Sequence, residues 1–232
     1  MQLFYTTINE GTFSLCSEES KHISKVLRKR NGDKIFFTNG KGIMIVAEII
    51  NSNSKKTEIR ILEKKEQNKK HNYNLHIAIS PTKNVDRFEW FLEKATEIGI
   101  DEITPIICDK SERKKIKLNR CEKILQSAIK QSVKFHLPKI NSPINYKDFI
   151  NLDFNGNKYI AHCQMTNKYN LVNEKIISNN LILIGPEGDF TNTEITIANE
   201  RNFKSISLGV SRLRTETAGI VAVNIINIKN SK

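Results

Sequence analysis

The sequence predicts an α/β protein of two domains, a small strand-rich domain over 1–70 and a parallel α/β domain over 71–232. Three observations predict it. Short alternating or apolar runs crowd the first 66 residues around one helical stretch. Gln67–Asn74 (QNKKHNYN) is polar and without periodicity, as a linker would be. From Leu75 onward, strand-like runs alternate with helical ones, the pattern of a parallel sheet. With 232 residues, 38% of them hydrophobic and 27% charged, the chain has enough apolar material for a core.

In the first domain the expected strands are Met1–Tyr5, Lys34–Thr38, Ile43–Ile50 and Thr57–Leu62, bounded by turn-formers such as Asn39-Gly40. Ser17 before Glu18 and Glu19 predicts a capped, dipole-matched helix running to Arg30. Ile23, Val26 and Leu27 would face inward, leaving Lys21, Lys25, Arg28, Lys29 and Arg30 to solvent. In the second domain the strand-like runs are Leu75–Ser80, Ile103–Cys108, Lys158–His162, Leu181–Gly185 and Ser205–Gly209. Asn84–Gly99 is the clearest helix, with Val85, Phe88, Phe91, Leu92, Ala95 and Ile98 on one face and Gly99 as its stop.

The formal net charge is +12. Residues 1–70 carry +6, and residues 110–139 alone carry +8, from ten basic and two acidic side chains. Concentrated charge of this kind suits a polyanionic partner such as nucleic acid. Cys16, Cys108, Cys121 and Cys163 are scattered, without CxxC or histidines at metal-ligand spacing, so reduced thiols and no metal are expected. No apolar run approaches the roughly 20 residues of a membrane span. The start, MQLFYTTINEG, does not read as a signal peptide, and the expected location is the cytoplasm.

The ten glycines exclude several chemistries. Gly40-Lys41-Gly42 is the sole GxG, without a third glycine or a following helix, and neither GxxxxGK[ST] nor GxSxG occurs. Dinucleotide-binding folds, Rossmann-type methyltransferases, P-loop enzymes and serine hydrolases lose their fingerprints. Two other stretches remain. LILIGPEGDF, 181–190, is an apolar strand ending in Gly185-Pro186-Glu187-Gly188, and Thr191 with Glu194 forms a capping box for the next helix. The turn is either an ordinary rigid connection or a place where backbone amides meet a ligand. SISLGVSRLRTETAGIVAV, 205–223, places Arg212 and Arg214 at a strand end beside Glu216, with Thr215 as a cap. Those arginines either pair with Glu216 or meet an anion. The apolar helix from Ala218 to Ile228 is expected to be buried all round.

GPEG-x-F followed by LG-x-x-x-LRTETA resembles the SPOUT methyltransferases, and within them the RsmE-type 16S ribosomal RNA uridine-N3 methyltransferases. The resemblance runs along the chain. His22–Arg28 (HISKVLR) is similar to the family's H-x-x-x-VLR signature. Lys83–Pro105 and Ser127–Ile140 are similar to two further family segments. Departures are Ser211, where the family commonly has Arg, Arg212 for an aliphatic residue, Lys130 for a frequent Glu, and Asp189 for the second glycine of GPEGG.

The resemblance implies an N-terminal PUA-like β-barrel and a C-terminal SPOUT α/β domain with a deep trefoil knot, assembled as a homodimer. It implies S-adenosylmethionine (SAM) bound by His162, Ile184, Gly185, Glu187, Gly188, Leu208, Gly209 and Leu213. A lone His after a strand is more often a structural hydrogen-bonder than a direct ligand, and His162 is read so first. The implied reaction is methylation of N3 of a specific uridine in 16S rRNA of the small ribosomal subunit. Arg214 would favour the anionic base, and Glu216 would act as base or orient Arg214. RNA is expected on His22, Lys25, Arg28 and Arg30 of the small domain, and on Arg113, Lys114, Lys115, Arg120, Lys123 and Lys134. Phe135 and Trp90 are read as core, with base stacking as the alternative. Competing functions are another SPOUT activity, on a ribose 2′-OH or guanine N1, and a non-catalytic RNA-binding assembly factor.

Overall fold

The computed structural model describes residues 1–8, 10–69 and 71–230. Lys70, inside the expected linker, lies outside the described residues. The chain forms two compact units, one of Met1–Lys70 with Ile129–Leu137, the other of His71–Ala128 with Pro138–Lys232.

In the first unit, β1 (Leu3–Tyr5), β2 (Thr12–Ser14), β3 (Lys34–Thr38), β4 (Ile43–Asn51) and β5 (Glu58–Glu66) form one sheet in the order β1-β3-β4-β5-β2. Two register shifts in the β4–β5 ladder, at Val46/Ala47 and Ile49/Asn51, are irregularities of the kind that bend a sheet. Alternation sends Ile35, Phe37, Ile45, Ile49 and Ile59 inward, where Phe4 and Phe13 each meet Phe37 at 5.6 Å between ring centroids. β2 escaped the sequence reading because three residues with one inward side chain make no period.

The expected helix Ser17–Arg30 is interrupted. α1 (Ser17–Lys21) gives way to one π turn, His22–Val26, and Arg28 adopts φ +54. The N-cap is Cys16, not Ser17, and its side chain makes no capping bond. The wider turn leaves Val26 66% exposed, so only Ile23 of the expected inward trio is fully buried. Local bonds explain the change: Ser24 Oγ donates to the Ser20 carbonyl at 2.7 Å, and Leu27 N–H reaches back five residues to His22.

Residues 129–137, which composition assigned to the second domain, belong to the first unit. Their backbone joins the β3–β4 turn through Gly42 N–H to Phe135 O and Leu137 N–H to Gly40 O, both 2.8 Å.

The second unit carries β6 (Asn74–Ile79), β7 (Glu102–Ile107), β8 (Lys139–Ile140), β9 (Ile144–Asn145), β10 (Asn157–Ala161), β11 (Tyr169–Asn170), β12 (Asn179–Ile184) and β13 (Lys204–Ser207). They form a wholly parallel sheet ordered β11-β13-β10-β12-β6-β7-β8, with β9 also on β7. Central β12 is buried from Asn180 to Ile184, which is why its sequence is apolar rather than alternating. The helices are α2 (Val85–Ile98), α3 (Leu118–Gln131), α4 (Tyr146–Phe149), α5 (Asn192–Glu200) and α6 (Thr215–Asn230).

α2 begins where Asn84 Oδ1 accepts from Asp86 N–H at 2.9 Å, and ends at Gly99 with φ +144. Trp90 on this helix is 43% exposed and Phe135 is only partly buried, against the expectation of core packing. α6 lies on α2 so closely that a Cβ on Gly219 would sit 2.6 Å from the Phe91 ring. Its buried face holds Gly219, Ala222, Val223 and Ile226, while Ile228 is 63% exposed, so burial is one-sided rather than all round. The end of the expected linker belongs to this unit: Tyr73 is buried and donates to the Gly99 carbonyl at 3.0 Å.

Candidate cofactor cavity and basic surfaces

Parallel strands β13, β10 and β12 are neighbours, so the loops leaving their carboxyl ends meet at one edge of the sheet. They enclose a cavity of about 590 Å³, within the size range of small-molecule sites. His162 after β10, Ile184 at the end of β12, Gly185 and Glu187 after it, and Leu208, Gly209, Leu213 and Arg214 after β13 all line it. Among the expected cofactor residues, Gly188 does not; its carbonyl accepts Lys110 Nζ at 2.9 Å instead.

The cavity wall is stitched by side chains. Thr215 donates its hydroxyl to the Gly185 carbonyl at 3.0 Å, tying the start of α6 to the GPEG turn. This bond, rather than the expected helix cap, is what the structure assigns to Thr215. Glu187 Oε1 accepts from Lys83 N–H at 2.8 Å. The capping box forms as expected: Glu194 accepts from Thr191 N–H at 2.8 Å, and Thr191 Oγ1 accepts from Glu194 N–H at 3.2 Å. The second Glu194 oxygen takes Asp109 N–H at 2.9 Å, which no local pattern could show.

Among the described residues, three buried side-chain atoms have no hydrogen-bond partner: both ring nitrogens of His162 and Glu216 Oε2. A buried polar atom left so is worth about 1–3 kcal/mol of lost stability, which a polar ligand can restore. His162 is 7% exposed and lines the cavity. Burial, and then the Lys168 ammonium, push its pKa down, while Asp189 pulls it up. Burial dominates, so the ring is neutral at pH 7, with one nitrogen to donate and one to accept. The cavity therefore fits a ligand with an apolar body and several polar groups.

Glu216 behaves otherwise. Its Oε1 lies 3.7 Å from Arg87 Nε, and it does not line the cavity. Arg214 is exposed on the cavity wall, so the expected Arg214–Glu216 pairing gives way to Arg87–Glu216.

The expected RNA residues fall in both units. In the first, Lys25, Arg28 and Arg30 are exposed, and half-buried His22 stands edge-on to Phe4 at 6.1 Å. Lys134 is in the same unit. In the second, Arg113, Lys114 and Lys115 line a cleft with Lys83 and Glu112, and Arg120 and Lys123 line another. Arg113 already spends its Nε and Nη2 on the carbonyls of Thr82 and Lys83, and Arg120 pairs with Glu89, whereas Lys114 and Lys115 are exposed.

Residues 68–227 match a family described as an RNA methyltransferase domain, and residues 15–62 match an RNA methyltransferase PUA domain. The chain belongs to this RNA methyltransferase family. A relative from Mesomycoplasma hyopneumoniae, ribosomal RNA small subunit methyltransferase E, is 35% identical over 94% of this chain and 95% of its own. A crystal structure of a probable rRNA-methyltransferase from Porphyromonas gingivalis is 37% identical with a TM-score of 0.93, covering 99% of this chain and 98% of that one. A ribosomal RNA small subunit methyltransferase E from Neisseria gonorrhoeae, crystallised with S-adenosyl methionine, is 26% identical with a TM-score of 0.88 over 99% and 98%.

Among the charged residues lining this methyltransferase's cavity, sequence reasoning missed Asp189 and Lys168 as members of the site. Asp189 appeared only as a departure from the family pattern; a carboxylate at a turn position suited to Gly was the available signal. Lys168 has no such signal, since its ammonium reaches the His162 carbonyl at 2.9 Å only through a folded loop. No group of three or more metal-ligating side chains occurs among the described residues, and no described helix is long and apolar enough to cross a membrane.

Proposed function

We propose that this protein transfers the methyl group of SAM to N3 of a specific uridine in 16S rRNA of the small ribosomal subunit. The observation that carries the reading is the cavity where three strand-end loops meet, with a buried neutral His162 whose ring nitrogens are both unpartnered. Full-length similarity to small-subunit rRNA methyltransferases supports the substrate.

Backbone groups of Ile184, Gly185, Leu208, Gly209 and Leu213 would hold the adenosine, with His162 offering a side-chain contact; Glu187 orders the turn through Lys83. SAM, when bound, supplies a methyl group on a sulfonium. The protein's share is positioning and electrostatics. Uracil N3 carries a proton at neutral pH and must lose it, and Arg214 on the cavity wall favours the anionic base by Coulomb attraction. Glu216 stands behind that wall against Arg87, so its part in the proposal is to anchor the start of α6 rather than to take the proton.

Lys114, Lys115 and Lys123, with Lys25, Arg28, Arg30 and Lys134 of the first unit, supply phosphate contacts that position the RNA. A uridine flipped from its helix is required, because pairing hides N3. We extend the reading to a PUA-like barrel, a knotted second domain built from 71–128 and 138–232, and a cytoplasmic homodimer. The bulged β4–β5 ladder supports curvature, and exposed Ile228 with half-buried Ile220, Val221 and Ile225 on α6 supports a second copy.

The test is methyl transfer from labelled SAM to small subunits lacking the modification, followed by nucleoside analysis. N3-methyluridine supports the proposal. Label on a ribose 2′-OH or guanine N1 overturns the specificity, and no label with RNA still bound favours an assembly factor. Unchanged turnover in Arg214→Ala would sink the role given to Arg214.

A further inference from the structure

We propose that Asp189 is a positioning residue for the cofactor, its carboxylate clamping the loop after β10 to the GPEG turn so that His162 is held facing the cavity. The proposal rests on the reading of the cavity as a SAM site.

The β10–β12 ladder ends at Ala161 and Ile184, so past this rung, among the described residues, strand pairing no longer joins the two loops. Asp189 supplies the next connection. Its Oδ2 accepts from Cys163 N–H at 2.9 Å, and its Oδ1 accepts from Phe190 N–H at 2.9 Å. The bridge therefore joins residues 26 apart in sequence, immediately beyond the sheet. His162 lies between the last rung, at Ala161, and the bridge, at Cys163. Its own carbonyl accepts Lys168 Nζ at 2.9 Å. Backbone is thus fixed before, at and after His162, and a ring held that way needs no reordering when a ligand arrives.

Asp189 is in the left-handed region, at φ +62. Glycine adopts that conformation freely, and the family pattern has glycine at this position, so on backbone grounds aspartate is the less stable choice. The two charge-assisted bonds offset the strain. In the GPEGG pattern no such carboxylate exists, so the clamp is a property of this chain rather than of the pattern. Lys168 and Asp189 also act on the ring with opposite charges, and both line the cavity.

The variants are Asp189→Gly, which removes the clamp while relaxing the backbone, and Asp189→Asn, whose amide oxygen can still accept from Cys163 and which tolerates left-handed φ. Amide exchange across 161–168 is followed in the ligand-free protein, and SAM affinity by calorimetry. Loss of one bond to a charged acceptor predicts about tenfold faster exchange at Cys163 and about tenfold weaker SAM binding in Asp189→Gly, with Asp189→Asn recovering most of both. Gain of glycine and loss of the clamp act oppositely on folding, so Tm stays close to wild type, which a merely structural role would not combine with weakened binding. Unchanged exchange at Cys163 overturns the clamp. Faster exchange with unchanged SAM affinity overturns the positioning role. Wild-type protein that binds no SAM overturns the cofactor reading and the positioning role with it, a result separable from the others because the variants are not needed to see it.

Discussion

Replacing His76 should flatten the acid sensitivity of the second unit. His76 sits on β6 with its Nε2 2.7 Å from Thr104 Oγ1, which also takes Asn141 Nδ2 at 2.7 Å. Burial pushes the His76 pKa down to about 4, with Glu102 opposing and Lys139 assisting. The sign follows from linkage. An unfolded histidine protonates near pH 6.5 and the folded one resists, so the unfolded state binds the extra proton as pH falls between these values. Stability contributed by the neutral ring is complete above the unfolded pKa and is lost as pH falls toward the folded one. Between pH 6.5 and 5, at 1.36 kcal/mol per unit, that loss is about 2 kcal/mol. Glu102, whose pKa is lowered, adds a loss of the same sign at lower pH. His162 contributes in the same direction, so the measurement is a difference between wild type and His76→Gln. Trp90 is the single tryptophan and lies on α2 of the same unit, so its fluorescence follows urea unfolding of that unit. Wild type should lose about 2 kcal/mol more than His76→Gln between pH 6.5 and 5. An equal loss in the two proteins would show that the His76 ring is not what makes the unit acid-sensitive.

Thr215→Val should strand the Gly185 carbonyl and lower stability by about 1–3 kcal/mol, with Thr215→Ser restoring the bond; thermal melts of the three proteins check this. Glu194→Ala leaves the Thr191 and Asp109 amides without their acceptor and should cost about 3 kcal/mol, seen as a drop in melting temperature of roughly 6–12 °C. Gly219→Ala drives a methyl against Phe91 and Ile79; overpacking of about 1–3 kcal/mol exceeds the roughly 1 kcal/mol gained in helix propensity, so the melt should fall rather than rise. Replacing both Lys114 and Lys115 by Ala should reduce the slope of log affinity against log salt for a single-stranded RNA by about 1.4, read from binding at several salt concentrations.

Periodicity and end signals were enough to find most of the second unit from sequence. The apolar β12, the Asn84 cap, the Gly99 stop and the Thr191–Glu194 box each act within a few residues, and each appears in the structure. The GPEG and LRTETA segments likewise marked two of the three loops around the cavity. The helix after Ser17 was legible only to Lys21; beyond it the chain enters the π turn, and just before that turn the Ser20 hydroxyl donates to the Leu15 carbonyl and accepts from Thr57 N–H, 37 residues away, a contact no local period encodes. Residues 129–137 are as helical or as polar as their neighbours, and contacts distant in sequence assign them to the first unit: backbone bonds to the β3–β4 turn, Thr38 Oγ1 to the Phe135 carbonyl and the His136 ring to the Gln67 carbonyl.

Hydrophobic period, capping and glycine placement therefore fix the longer strands and most of the longer helices in order, and mark two of the loops that carry chemistry, whereas β2, β8, β9 and β11, two or three residues each, leave no such mark. What tertiary structure decided is which side chains serve the cavity. Glu216 turns to Arg87, Thr215 to Gly185, and Asp189 to Cys163, over separations of 129, 30 and 26 residues. The physical reason is the parallel sheet: its order brings the ends of β13, β10 and β12 together, and hydrogen bonds between those ends are chosen by distance in space, which no local pattern encodes.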